Sequence, residues 1–177
     1  MLKTKSVVYL AALMCLTNYA FGQETLNENL KIFQPFLGKT WKGEFKNSTP
    51  DKPIIDVARW ERALNGNAVR VLHSINNGEY GGESLIFWDK EKQSLVYYYF
   101  TTAGFFTNGT MTVENGKYLS HEYVKGNQGG ITEVKGSGEI TADGKMITTS
   151  QYLKDGKWVE GHAATYVEDA TAQVVFK

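Results

Sequence analysis

The chain is poor in the residues that staple, stiffen or charge a protein. Its 177 residues include one cysteine and three prolines. Cys15 lies in an N-terminal stretch that reads as a removable export signal, so the folded part is expected to hold no disulfide and no cysteine-bound zinc. Basic and acidic residues balance at 19 each. No basic stripe is left over to track a nucleic acid. The apolar runs fall short of the roughly 20 residues a membrane-spanning helix needs. Internal repeats, low-complexity tracts and domain linkers are absent from the sequence.

The N-terminal segment has three parts. Lys3 and Lys5 give a basic start, Val7 to Leu16 an apolar run, and Ala20-Phe21-Gly22 small residues ahead of Gln23. This is the pattern of a secretory signal peptide over residues 1–22, cleaved after Gly22. Leu13 and Met14 stand where a lipidated cysteine at 15 would want small residues. The expected product is periplasmic or secreted. It comprises residues 23–177, enough for one domain with its own core.

What remains is rich in glycine and aromatics, with 18 Gly, ten Tyr, nine Phe and four Trp. One segment, residues 24–36, has helical spacing, with Leu26, Leu30, Phe33 and then Leu37 on one side, closed by Pro35 and Gly38. Everything after it is alternation and turns. Asn65-Gly66, Asn77-Gly78, Asn115-Gly116, Asp143-Gly144 and Asp155-Gly156 are hairpin signals, because glycine takes a positive φ freely and Asn or Asp tolerates one. Between the turns lie runs of Val, Ile, Thr, Tyr, Phe and Trp. They predict ten strands, at about 40–46, 54–63, 68–75, 80–88, 94–102, 105–113, 117–125, 130–141, 146–153 and 158–167. A meander of that length leaves two bare edges unless it closes on itself. The expected fold is all-β: an up-and-down ten-stranded lipocalin-like β-barrel with a short N-terminal helix.

The stretch Phe36 to Phe45, FLGKTWKGEF, resembles the opening segment of the lipocalin and fatty-acid-binding barrels, with one residue more than their usual Gly-x-Trp spacing. The resemblance implies that Trp41 lies across the closed end of the barrel. ARWERALNGNAVRV and YGGESLIFWD are similar to exported bacterial lipocalin-like (calycin) proteins grouped as domain of unknown function 1579. That family carries no agreed activity, and a barrel hosts many functions.

Period-two alternation assigns faces. A cross-strand pair of Glu61 with Arg70 on the solvent side turns Trp60 and Arg62 inward, beside Val69, Val71 and His73. Tyr80, Ser84, Ile86 and Trp88 follow on the next strand. On the last strand Trp158, Glu160, His162, Ala164 and Tyr166 share a face. That face is expected inward if the turns at Asp143-Gly144 and Asp155-Gly156 are of the same kind, since a one-residue slip exchanges faces. Three-residue bulged loops at both turns, the more apolar choice, would add Met146, Ser150 and Tyr152.

The candidate ligand-binding residues are therefore Trp60, Arg62, His73, Tyr80, Trp88, Tyr152, Trp158, His162 and Tyr166. His162 is either a hydrogen-bonded wall residue, paired with Glu160 or Gln151, or a ligand to haem iron. The second reading resembles the ten-stranded haem barrels called nitrobindins, which imply a proximal histidine near a tyrosine on a late strand; here His162 and Tyr166 stand four apart. Arg62 either forks onto a ligand carboxylate or snorkels to the rim or pairs with Asp56. The aromatics, among them Tyr97, Tyr99 and Phe105, either line a pocket or fill the core.

Catalysis has no local motif: there is no nucleophile elbow, and His73, His121 and His162 lack metal-ligand spacing. GNQGG at 126–130 reads as a flexible turn. The sequence thus predicts an exported barrel holding a small apolar or amphipathic molecule, with no resident cofactor, no nucleic acid and a monomeric or homodimeric state. A haem barrel using His162 and a filled barrel serving as a protein-interaction module are the alternatives.

Overall fold

Ten antiparallel strands follow one another around a closed barrel in a computed structural model that describes residues 25–177, the side chains of 126–128 excepted. The export signal and Cys15 lie outside the described residues. The strands are β1 (Lys39–Phe45), β2 (Ile55–Ala63), β3 (Ala68–Ile75), β4 (Tyr80–Asp89), β5 (Ser94–Thr101), β6 (Phe106–Glu114), β7 (Lys117–Gln128), β8 (Ile131–Ile140), β9 (Met146–Lys154) and β10 (Lys157–Glu168). Each pairs with its sequence neighbours, and β1 pairs with β10 to seal the sheet. The expected meander and its closure are both present. At the seam Gly43 faces Tyr166, and a Cβ on Gly43 would sit 2.5 Å from the tyrosine ring. Glycine is needed there so that the ring can lie flat across β1.

The helical segment is shorter and tighter than its sequence suggests. Glu28–Phe36 forms a 3₁₀ helix, entered through Asn27, whose side chain accepts from the Asn29 N–H at 3.0 Å. Its buried residues are Leu30, Phe33 and Phe36. They recur every third position, which matches a helix of three residues per turn. An α-helix would have buried Leu37. Gly38, at φ +73°, turns the chain into β1. The helix stoppers one end of the barrel, where the Phe36 ring lies 4.8 Å and the Phe33 ring 5.8 Å from the Trp60 ring. Trp41 is fully buried beneath it and donates its indole N–H to the Phe36 carbonyl at 3.2 Å. Val69, Ile86, Leu95, Met111 and Met146 complete this closed end.

The early register is as the sequence predicts. Glu61 stands opposite Arg70, and Arg62 opposite Val69. Arg70 faces outward and forks onto Glu83 at 2.8 and 2.9 Å. The connection at Asn65-Gly66 is a short 3₁₀ turn over Leu64–Gly66, and it preserves the same pairing.

The late register needs a correction. The two turns differ in kind. Lys154 pairs with Lys157 around a two-residue loop in which Asp155 and Gly156 both have positive φ. Thr141 bonds to Lys145 around a longer loop with Gly144 at φ +80°. Their face changes therefore do not cancel, and Trp158 and Glu160, opposite Leu153 and Gln151, point outward. A bulge between Glu160 and Ala163 then restores the inward face, setting Gly161 and His162 together against Ser150. Trp158 is an outer-surface residue, with the Lys135 ammonium 4.4 Å from its ring centroid and the His121 ring 6.4 Å away.

Candidate functional site

Between the aromatic stopper and the far rim, the barrel holds a cavity of about 320 Å³ that is open to solvent. Alternation puts at least one residue from every strand but β6 into its wall. Phe45, Asp56, His73, Tyr99, Glu122, His162 and Tyr166 are the members with chemistry or bulk to offer a guest. The volume sits at the lower edge of the roughly 300–1,000 Å³ that ligand pockets span.

The floor is a chain of hydrogen bonds. Asp56, which is buried, accepts from the Tyr166 hydroxyl at 2.8 Å through one carboxylate oxygen and contacts His73 Nδ1 at 2.9 Å through the other. His73 Nε2 lies 2.7 Å from the Tyr99 hydroxyl, which is 3.1 Å from that of Tyr80. A carboxylate with both oxygens occupied orients the imidazole and fixes which nitrogen faces the tyrosine. Burial pushes the phenols of Tyr99 and Tyr166 far above their ordinary range, so both remain neutral hydrogen-bonding groups.

Glu122, on β7, faces the same lumen and accepts from Tyr97 at 3.2 Å. Burial pushes its pKa up, with the close Thr107 hydroxyl and the Tyr97 bond pulling it partway back. The folded chain therefore holds this proton more tightly than the unfolded chain. That contribution to stability is complete below the ordinary glutamate value of about 4.3 and is lost as pH rises through the folded value. Glu122→Gln, which keeps an acceptor for Tyr97, is expected to melt higher than the parent near neutral pH. The gain should close as pH falls to about 4. Melting curves across pH test this, and a variant that melts lower near neutrality would refute it.

His162 sits toward the mouth, its ring 4.7 Å from Phe45 and edge-on to Tyr152 at 5.5 Å. Burial lowers its pKa, with the Asp56 charge drawing it partly back, so the ring is held toward the neutral form. Its side chain makes no hydrogen bond to Glu160 or Gln151, which lie on the outer face. Gly161 lets it in: a Cβ there would meet Ser150 Oγ at 2.4 Å and the Tyr152 ring at 2.8 Å.

The sequence-derived residues thus separate into groups. His73, His162 and Tyr166 line the cavity, with Tyr80 and Tyr152 supporting them. Trp60 and Trp88 belong to the packed core of the closed end. Arg62 lies at that end too, outside the cavity wall, beside Gln34, Leu37 and Lys39. Its Nη2 and the Trp60 indole nitrogen are buried with no hydrogen-bond partner among the described residues. Asp56 pairs with His73 and Tyr166 rather than with Arg62. The central roles of Asp56 and Glu122 escaped the sequence reading. Parity could have found both, because Asp56 alternates with Trp60, and Glu122 with Tyr118. Among the described residues no group of three His, Cys, Asp or Glu is placed to hold a metal ion, and no helix is long and apolar enough to cross a membrane.

Fold and site together define a closed antiparallel up-and-down barrel, stoppered at one end and polar in its lumen. No family model and no curated protein sequence matches the chain. Among solved structures, Rv2717c from M. tuberculosis superposes with a TM-score of 0.60, covering 82% of this chain and 99% of its own, at 13% sequence identity. At that identity the likeness is one of fold. It supports the barrel class and leaves kinship with domain of unknown function 1579 without confirmation.

Proposed function

We propose that the protein binds a small amphipathic molecule in the barrel lumen, outside the cytoplasm. The observation that carries this is the cavity itself: aromatic rings at its mouth stand over a floor of oriented polar groups. Phe45 and His162 offer apolar contact, while Ser120, Glu122, Thr148 and Ser150 offer hydrogen bonds. Burying about 200 Å² of ligand surface would contribute roughly 5 kcal/mol before entropic costs. The volume suits one ring with a short substituent.

Native mass spectrometry of protein purified from its own source, followed by denaturing extraction, tests the reading. The expected result is a small molecule released on denaturation. Repeatedly empty protein would favour the interaction-module reading, with exposed Phe100, Phe106 and Tyr123 as the contact surface.

A second reading rests on His162, whose neutral ring has neither nitrogen in a hydrogen bond among the described residues. Haem iron would take such a nitrogen, with the porphyrin projecting from the mouth because the cavity is smaller than the macrocycle. Mixing with haemin should then give a Soret band that disappears in His162→Ala. Protein that stays colourless at equal haem removes this reading.

A further inference from the structure

The charges facing the cavity are unbalanced. Its wall contains the carboxylates of Asp56 and Glu122 and no lysine or arginine. Asp56 is saturated, its two oxygens taken by His73 and Tyr166. Glu122 has no such charged partner: it accepts from the Tyr97 hydroxyl, with the Thr107 hydroxyl close by. Thr107, on β6 and 1% exposed, shares the inward face of its paired neighbour Tyr99, and its hydroxyl lies close to Glu122. A half-buried carboxylate whose partners are neutral hydroxyls has no cation to balance its charge, which costs free energy until a cation fills the gap. The aromatic rings of Phe45 and Tyr99 line the same space.

From this arrangement we infer that the ligand is a small organic cation: an aromatic amine-bearing molecule whose ammonium donates to Glu122 while its ring lies between Phe45 and His162. The inference rests on the ligand-binding reading above and names its chemical class. An ammonium has several donors to share among Glu122 and the cavity hydroxyls, and it is attracted to aromatic faces. A ligand carboxylate would meet the carboxyl groups of Asp56 and Glu122, with no lysine or arginine in the wall to receive it. The burial that raises the Glu122 pKa is a cost that a bound cation offsets.

The test uses three probes of one shape: phenethylamine, 2-phenylethanol and 3-phenylpropanoate, titrated into the purified protein near neutral pH and followed by calorimetry and ligand-observed NMR. The amine is expected to bind at least about tenfold more tightly than the alcohol, the gain of a charge-assisted hydrogen bond. The carboxylate is expected to bind more weakly than both. In Glu122→Gln, amine affinity should fall to that of the alcohol while alcohol affinity holds, and an unchanged or higher melting temperature shows that the barrel is intact. Equal affinity for all three probes overturns the cation preference and leaves ligand binding standing. Tighter binding of the carboxylate overturns it as well. If none of the three binds, the inference fails, and the extraction experiment decides separately whether the lumen holds a ligand.

Discussion

Replacing Asp56 with alanine is expected to remove about 3–5 kcal/mol of folding stability, the usual effect of deleting one partner from a buried charged network. The carboxylate is 4% exposed and ties three strands together, accepting from Tyr166 on β10 and holding His73 on β3. Its loss would strand the buried Tyr166 hydroxyl, at about 1–3 kcal/mol for an unsatisfied group, and free the His73 ring. Asp56→Asn keeps an acceptor and should cost less. Tyr166→Phe combined with Asp56→Ala should cost less than the sum of the two alone, because both act on one hydrogen bond. Urea unfolding monitored by tryptophan fluorescence measures all of these. A loss below about 1 kcal/mol for Asp56→Ala would mean that the floor network does not hold the barrel together. The exposed pair of Asp143 with Lys145 serves as a control, its removal falling within about 0.5 kcal/mol of the parent.

Trp41→Ala should be comparably severe, at about 3–5 kcal/mol for truncating a large buried aromatic. The indole is 0% exposed and is the link between the first strand and the helical stopper, through its bond to the Phe36 carbonyl. Truncation leaves a void beneath Phe33 and Phe36 and an unpaired carbonyl at the helix end. The expected signature is a lower urea midpoint together with loss of near-UV dichroism from the aromatic cluster. Trp158→Ala is the contrast, because that tryptophan is 39% exposed and lies over Lys135 on the outer wall. Equal destabilisation by the two substitutions would contradict the assignment of inner and outer faces.

That contrast shows where the sequence is readable. The ten strands match their expected positions to within a few residues, because glycine-marked turns and runs of β-branched and aromatic residues are local signals. Glu61 opposite Arg70 is legible because two charges that want water settle the facing of both strands. The outward aim of Trp158 was not. It depends on two turns that differ in kind and on a bulge at Gly161-His162, each shifting parity by one residue. The chemical pattern at those positions does not distinguish one loop length from another. The helix was legible as an amphipathic segment but not in its pitch, which follows from packing Leu30, Phe33 and Phe36 onto the barrel mouth.

By itself the sequence determined the strand order, the antiparallel meander and the need for closure, since alternation and turn chemistry act between residues close in the chain. It also determined that polar groups of the early strands would face inward beside aromatics, His73 among them. Tertiary structure alone decided which of those groups meet. Asp56 and Tyr166 are 110 residues apart and come within hydrogen-bonding distance only when β10 returns to β1. The same closure leaves Glu122 facing the lumen and Arg62 at the stoppered end, outside the cavity wall. The charge of the cavity is a property of the closed barrel, because barrel curvature and strand register, which no short window encodes, select which side chains share the enclosed space.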